Sequence, residues 1–179
     1  MNFDKFRRII RTLRQHKPDI ILFQEIAPPS THPNLSHMHS LWQTIWQGDI
    51  YLSPLIAILI SPQYKSKLLG ISNDNRVMDV SIEHPKHLSF SIRNIYAPAQ
   101  ESLHRSFWAS IPPLPHNTMI VGGDFNCILR SIDHLSSTSY ARPTHPDLFQ
   151  RHFPALVDLA STSPTPKYTC YTHTINSWT

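Results

Sequence analysis

The sequence predicts an α/β fold, an α/β sandwich of two stacked mixed sheets flanked by helices, formed by one domain over residues 1–179. Apolar runs of strand length alternate with amphipathic helical patterns along the chain, which is typical of layered α/β domains. No repeat or linker composition interrupts this alternation. A chain of 179 residues has the length of a single domain with a core of ordinary size.

The first predicted elements are a helix and a buried strand. An apolar stripe with spacings of three and four predicts an amphipathic helix over residues 3–16, which ends before Pro18; its members are Phe3, Phe6, Ile10 and Leu13. A strand is predicted at Asp19–Gln24. Residues 28–39 are rich in Pro, Ser and His, which indicates a loop. Trp42 and Trp46, four residues apart, are interpreted as one apolar helix stripe that belongs to the core.

The later elements continue the alternation, and a meander of strands is predicted in the middle of the chain. Strands are predicted at Leu55–Ile60, at Val77–Ile82 and within Leu88–Gln100. A helix at Glu101–Ser110, closed by Pro112 and Pro113, is followed by a strand that ends at Gly122-Gly123. A last helix begins at a capping box of Thr144 and Asp147 and continues through Leu156, with Leu148, Phe149 and Phe153 directed inward.

Composition favours an intracellular protein with a polyanionic partner. Sixteen Lys and Arg against twelve Asp and Glu give a net charge of +4, with a pI near 9.2. Two cysteines make no disulfide framework, which favours a reducing compartment; Cys127 is interpreted as a packing residue. The first eight residues contain no apolar signal region, and the longest aliphatic run, Leu55–Ile60, is six residues, so no secretory signal and no membrane span are expected.

Three short motifs place polar side chains at predicted strand ends. Thr118–Leu129 reads TMIVGGDFNCIL, where a double glycine permits a sharp turn with positive φ and displays Asp124 and Asn126. Lys17–Ile26 reads KPDIILFQEI and ends its strand at Gln24 and Glu25. Leu88–Gln100 reads LSFSIRNIYAPAQ and carries Asn94 and Tyr96 on one face. Carboxylates and an amide at strand ends suit phosphate-ester chemistry.

The motifs QE, NIYAP and GGDFN, in this order, resemble the endonuclease/exonuclease/phosphatase superfamily, and most closely its apurinic-type and LINE-type retrotransposon endonucleases. The resemblance covers nearly the whole chain and implies the α/β sandwich fold. It also implies Mg²⁺-dependent hydrolysis of DNA phosphodiesters, with Mn²⁺ as an alternative metal. A monomer acting in the nucleus, and an ancestral fusion to a reverse transcriptase, are further expectations of this resemblance.

The resemblance assigns a role to each matching residue. Glu25 is expected to ligate the metal, Asp124 to orient or deprotonate the attacking water, and Asn126 to hold that Asp or the scissile phosphate. Tyr96 is expected to hydrogen-bond a phosphoryl oxygen. In KYTCYT, Thr169 matches a threonine beside the site in LINE-type endonucleases. Asn94 is interpreted as structural.

Two family features do not appear in the sequence. Family members begin with a strand that ends in an Asn-rich motif, whereas this chain begins at the following helix. Members also end with a Ser-Asp-His motif, and none of the twelve histidines here follows Ser-Asp. The nearest arrangement, Ile132-Asp133-His134, lies too early in the chain to take that role. We therefore expect a chain truncated at both ends, with one sheet edge left unpaired.

Other interpretations stay open beside these. Asp124 could be an Asx-turn residue, and Tyr96 a half-buried packing residue. The cluster His32, His37 and His39 is interpreted as solvated loop residues rather than a zinc site, because no Cys or helical His spacing supports it. For the whole chain, the alternatives to a DNA-nicking endonuclease are a catalytically inactive fragment of such a domain and a phosphatase acting on small phosphate esters.

Overall fold

The computed structural model describes residues 3–27, 34–84, 89–127, 151–157, 171–172 and 177–178. The chain separates into two compact units, of which the first comprises Met1–Ala97 and Ile111–Phe125 and the second Pro98–Ser110 and Asn126–Thr179. The expectation of one domain over residues 1–179 stays a prediction, and the two units are described in turn.

The first unit begins with two helices and a three-stranded sheet. This first sheet is antiparallel throughout, with strand order β1-β3-β2, so that β3 is its central strand. One turn of 3-10 helix at Arg14–His16 follows the first helix. The elements are α1 (Phe3–Leu13), β1 (Ile20–Gln24), α2 (Leu35–Gln43), β2 (Asp49–Leu52) and β3 (Ile56–Ile60).

A second, four-stranded sheet completes the first unit. Its order is β4-β5-β6-β7; the first three strands form an antiparallel meander, and β7 lies parallel to β6. The meander that the sequence predicts is wrong in its members, because the predicted strands Leu55–Ile60 and Val77–Ile82 lie in different sheets. The connection from β6 to β7 contains a helix, α3 (Glu101–Ser110), as parallel neighbours require. The strands are β4 (Lys65–Ile71), β5 (Val77–Glu83), β6 (Phe90–Tyr96) and β7 (Thr118–Asp124).

The two sheets pack face to face, which confirms the predicted α/β sandwich. Successive residues of β3 pack on opposite faces of the first sheet, since side chains alternate along a strand. Ile56, Ile58 and Ile60 pack against Met78, Val80, Ile82 and Ile92 of the second sheet. Ala57 and Leu59 face the helices, together with Phe6, Ile10, Phe23, Trp42 and Trp46. The rings of Phe6 and Trp42 stack with centroids 3.9 Å apart.

The other face of the second sheet contains a buried ion pair. Arg93 and Asp79 form two parallel hydrogen bonds of 2.8 and 2.7 Å. The same guanidinium donates to the carbonyl oxygens of Pro112 and Pro113 at 2.6 and 3.0 Å. A buried arginine is tolerated here because all these acceptors compensate its desolvation. The pair therefore anchors the segment that leads into β7.

The predicted loop over residues 28–39 is wrong from residue 35 onward, because α2 begins at Leu35. Asn34 caps this helix, and its side-chain oxygen accepts a hydrogen bond from the His37 backbone N–H at 3.0 Å. His37 and His39 therefore lie on a helix, whereas His32 lies outside the described residues. Trp42 is in α2, whereas Trp46 lies beyond its end, so the prediction that both lie on one helix stripe is wrong. Both are buried, which confirms their assignment to the core.

In the second unit, α3 has the bounds that the sequence predicts. Its Phe107 and Trp108 are buried, and Trp108 contacts the ring of Phe153 edge-on at 6.1 Å. The helix predicted to run through Leu156 ends instead at His152, because Pro154 lacks an N–H and disfavours a helical residue before it. The start of that helix, with Thr144, Asp147, Leu148 and Phe149, lies outside the described residues.

The described part of the second unit also contains two short paired strands, β8 (Tyr171–Thr172) and β9 (Ser177–Trp178), which the sequence analysis did not predict. Among the helices of the described part of the chain, none is long and apolar enough to cross a bilayer.

Candidate functional site

Three strands from the two sheets end at a common edge of the sandwich. Glu25 directly follows β1, Tyr96 is the last residue of β6, and Asp124 is the last residue of β7. Tyr96 and Asp124 are direct neighbours in the parallel pairing of β6 with β7. The backbone N–H of Ala97 donates to the Asp124 carbonyl at 2.8 Å, which fixes the two strand ends together. We call Glu25, Tyr96 and Asp124 the acidic edge.

The double glycine allows β7 to approach its neighbours this closely. Gly123 has φ +137°, and a Cβ there would overlap the backbone carbonyl of Ile95. A Cβ on Gly122 would lie 2.7 Å from Cδ1 of Leu22 in β1. The expected positive φ and close backbone approach are therefore confirmed at Gly123, whereas a Cβ at Gly122 would meet the flexible end of the Leu22 side chain. The strand itself continues through Asp124 and does not end at the glycines.

A hydrogen bond joins two members of the acidic edge across the two sheets. The Tyr96 hydroxyl donates to Oε1 of Glu25 at 3.1 Å. Tyr96 is 9% exposed, whereas Glu25 and Asp124 are both exposed to solvent. Glu25 has φ 55°, a left-handed conformation that is uncommon for a glutamate and turns the chain sharply after β1. Such local strain is characteristic of functional positions.

The pKa of Tyr96 is raised above the ordinary 10.0. Burial of the phenol is the main cause, followed by the hydrogen bond and the charge of Glu25; the charge of Asp124 acts in the same direction and that of Arg76 opposes them. The phenol therefore stays protonated at neutral pH. Both carboxylates of the acidic edge also lie within electrostatic reach of the same hydroxyl.

Arg76 is a residue of this edge that the sequence analysis missed. Its guanidinium carbon lies 4.9 Å from the centroid of the Tyr96 ring, and its Nη1 donates to the Tyr96 carbonyl at 3.0 Å. The Tyr96 backbone N–H donates to the Arg76 carbonyl at 2.8 Å. In sequence Arg76 is one of sixteen basic residues and follows an ordinary polar turn, so no local signal distinguishes it.

Asn94 holds the two sheets together behind the acidic edge. Its side chain is fully buried and donates to the carbonyl oxygens of Phe23 and Ala57, each at 3.0 Å. Its Oδ1 accepts a hydrogen bond of 2.7 Å from the Gln24 side chain. These contacts confirm that Asn94 is structural, and they fix the end of β1 immediately before Glu25.

The structure thus brings Glu25, Tyr96 and Asp124 together. Asn126 belongs to the second compact unit, where it is half-buried with φ 47°. Cys127 is half-buried rather than fully buried. Thr169 and the segment Ile132-Asp133-His134 lie outside the described residues. No three His, Cys, Asp or Glu side chains of the described part cluster closely enough to form a complete protein-only metal cage.

Two sheets packed as a sandwich, with carboxylates at converging strand ends, define the class of the protein as an α/β sandwich with an acidic edge. The model of the Endonuclease/Exonuclease/phosphatase family matches residues 1–178, and the chain belongs to this family. Enzymes of this family generally use divalent metal ions.

Two crystal structures are similar to this chain. A truncated Caenorhabditis elegans TDP2 is 18% identical with a TM-score of 0.45, and the match covers 76% of this chain and 60% of that chain. Selenomethionine-labelled TDP2 from Caenorhabditis elegans is 17% identical with a TM-score of 0.45, over 76% of this chain and 45% of that one. The match thus spans less than two thirds of either structure. No curated protein matches the sequence.

Proposed function

We propose that this chain is a Mg²⁺-dependent phosphodiester hydrolase, a retrotransposon-type endonuclease that nicks DNA. The observation that carries the proposal is the convergence of Glu25, Tyr96 and Asp124, residues from three motifs far apart in sequence, at one edge of the sandwich. Membership of the family supports hydrolysis of phosphate esters, and the order of the motifs supports the endonuclease branch. Action on genomic DNA would place the protein in the nucleus.

The chemistry of the acidic edge fits a Mg²⁺ ion. Glu25 and Asp124 offer exposed carboxylate oxygens, which are the hard ligands that Mg²⁺ takes one or two at a time while it keeps several waters. Two carboxylates near one phenol repel each other, and a divalent cation would relieve that repulsion. In this proposal Glu25 would hold the ion, which would supply positive charge to the phosphoryl oxygens of the substrate.

The hydrogen bond of Tyr96 defines what this residue does before substrate binds. A phenol has one proton, and here that proton is directed at Glu25. Tyr96 therefore positions the Glu25 carboxylate that would hold the metal. To donate to a phosphoryl oxygen instead, the Tyr96 hydroxyl would first have to give up its hydrogen bond to Glu25. Arg76, stacked on the same ring, brings a permanent positive charge beside the position expected for the phosphate.

Asp124 acts on water in this proposal. Its carboxylate is exposed at the end of a strand that is paired with β6 and hydrogen-bonded to the Ala97 N–H, so it can accept a hydrogen bond from water and align that water with the phosphorus. Asn126 follows two residues later, and we assign to it the holding of the Asp124 carboxylate or the scissile phosphate.

Nicking of supercoiled plasmid tests the proposal. The purified chain with Mg²⁺ is expected to convert supercoiled to open-circular DNA, and EDTA or Asp124→Ala is expected to abolish the conversion. Glu83→Ala, which removes an exposed carboxylate at the end of β5, is the matched control and should nick like the unaltered chain. Absence of nicking by folded protein would refute the proposal and favour an inactive fragment. Mg²⁺-dependent release of phosphate from inositol phosphates without nicking would favour a phosphatase.

A further inference from the structure

The exposed side of α1 carries a row of arginines beside the end of α2. Arg7 and Arg11 are one helical turn apart and exposed, and Arg14 follows in the 3-10 turn. These three side chains, with Thr44 and Ile45, line a hollow of ≈ 250 Å³. We call it the arginine groove.

The arginine groove contains positive charge without a matching carboxylate. No acidic residue lines it, and within the described part of the chain neither Arg7 nor Arg11 forms an ion pair. Arg14 donates to the Ile45 carbonyl at 2.5 Å, which fixes its guanidinium at one end of the groove. Like charges one turn apart on a helix destabilise it, so an anion bound between them would be stabilising.

The groove lies away from the acidic edge. Arg14 bonds to Ile45, and the neighbouring Trp46 indole donates to the Ile60 carbonyl at 2.9 Å. Ile60 pairs with Ile20, the first residue of β1, whereas Glu25 comes directly after Gln24, the last residue of β1. The Arg14 end of the groove is therefore at the opposite end of β1 from the acidic edge, and an anion bound there is not at the hydrolytic site.

We propose that the arginine groove binds the phosphate backbone of a nucleic-acid strand, independently of metal and of Asp124. Arg7 to Arg14 spans about 10 Å at the rise of a helix, which is roughly the axial length of three phosphates along one DNA strand. A lipid surface fits less well, because membrane-binding helices insert an apolar face. The apolar side chains Phe6 and Ile10 of α1 are instead buried in the core.

Binding of a fluorescently labelled duplex in EDTA, over a series of NaCl concentrations, tests this inference. Arg7→Gln with Arg11→Gln is expected to weaken binding several-fold at low salt. It should also reduce the slope of log affinity against log salt by about 2, the loss of two phosphate contacts. Arg105→Gln with Arg151→Gln removes two exposed arginines from the second unit and is the matched control. Thermal unfolding verifies that both variants are folded.

Equal salt slopes in the two double variants, or no duplex binding by the unaltered chain in EDTA, would overturn the inference. So would an Arg7→Gln, Arg11→Gln variant that loses binding to phosphatidylserine vesicles while its binding of the duplex is unchanged. The two proposals are tested separately, because Asp124→Ala is expected to abolish nicking while it leaves the groove arginines in place, and Arg7→Gln with Arg11→Gln is expected to weaken duplex binding in EDTA. If the chain binds the duplex through the arginine groove but does not nick plasmid DNA, the endonuclease proposal is refuted and the proposal for the groove still holds.

Discussion

Tyr96 connects the two carboxylates of the acidic edge to the core of the sandwich. Its ring packs between the sheets, and its hydroxyl donates a hydrogen bond to Glu25. The negative charge of Asp124 contributes to raising the pKa of this hydroxyl. Tyr96 is buried as a packing residue, and its hydroxyl is hydrogen-bonded to Glu25; its role as a site residue stays a prediction. The pKa of the Tyr96 phenol therefore reports on the charges of Glu25 and Asp124, and it can be measured by titration.

The raised pKa of Tyr96 predicts a loss of stability at high pH. Because the folded chain holds the phenolic proton more tightly than the unfolded chain, this group stabilises the fold below its ordinary pKa of 10.0, and the contribution disappears as pH rises through the folded value. We expect the free energy of unfolding, measured with urea, to fall above pH 10 and to fall less steeply in Tyr96→Phe. Tyr64→Phe is the control. Equal alkaline slopes in Tyr96→Phe and the unaltered chain would contradict the prediction.

Tyr96→Phe also distinguishes two roles of the phenol in hydrolysis. If Tyr96 positions Glu25, its loss should raise the Mg²⁺ concentration needed for half-maximal nicking, because the metal-holding carboxylate is no longer oriented. If the phenol only contacts the phosphoryl group, kcat should fall while the Mg²⁺ dependence stays unchanged. Titration of nicking with Mg²⁺ in both proteins decides between them, and we expect the first result.

Gly123 has no acceptable replacement. An alanine there would combine a φ of +137° with a Cβ overlapping the Ile95 carbonyl, so we expect Gly123→Ala to lower the free energy of unfolding by about 3 kcal/mol or more. Gly70→Ala is the control, because a Cβ at Gly70 meets nothing within 4 Å; its effect should stay within about 0.5 kcal/mol. Chemical denaturation of both variants provides the comparison, and similar losses would show that the backbone at Gly123 can shift.

The residues of the acidic edge were predictable because each belongs to a local motif. Glu25 and Asp124 follow apolar strands, and the double glycine marks the turn. Arg76 and the partners of Asn94 could not be found in this way. Arg76 contacts a residue twenty positions later, and Asn94 bonds to Phe23 and to Ala57, contacts that exist only after the sheets pack.

At the scale of elements, Asn94 is the main polar link between β6 and the first sheet. Asn94→Ala would leave the buried carbonyls of Phe23 and Ala57 without this donor, so we expect a loss of about 2–4 kcal/mol in the free energy of unfolding. Gln24→Ala removes only one, partly buried bond and should cost about 1 kcal/mol. Urea denaturation of the two variants tests the ranking; equal losses would mean that Asn94 contributes no more than its contact with Gln24.

The elements that the sequence missed have weak local patterns. β4 is exposed along nearly its whole length and shows no clean alternation, because a bulge shifts its register between Leu68 and Gly70. β2 has only four residues. In α2 the Pro- and Ser-rich composition before Leu35 extended the predicted loop into the helix, although Asn34 is an ordinary N-cap. Strand pairing, rather than periodicity, therefore determines β2 and β4, whereas the start of α2 has a local signal in Asn34.

At the scale of the whole molecule, the sandwich followed from the alternation of elements, whereas the strand order did not. The order β1-β3-β2 places a strand between two others that precede it in sequence. That order is determined by the fully apolar sequence of β3, which is buried on both faces and therefore takes the central position. Its neighbours β1 and β2 each contain partly buried residues, consistent with positions beside it.

The exposed edge of the second sheet makes a prediction for the assembly of the protein. Within the described residues β4 pairs on one side only, and it exposes Leu68, Leu69 and Ile71, the combination that promotes edge-to-edge association. Lys65 and Lys67 on the same strand, together with the bulge, oppose such pairing through charge and irregular geometry. We therefore expect the unaltered chain to be a monomer.

Removal of these two charges tests that expectation. Lys65→Thr with Lys67→Thr keeps residues that favour strands but deletes the repulsion between two approaching β4 edges, so the variant should dimerise or aggregate at concentrations where the unaltered chain stays monomeric. Sedimentation velocity over a concentration series measures this, with Arg105→Gln and Arg151→Gln as a variant of equal charge change. Monomeric behaviour of the lysine variant would show that the bulge alone protects the edge, and dimerisation of the unaltered chain would show that the lysines do not protect it.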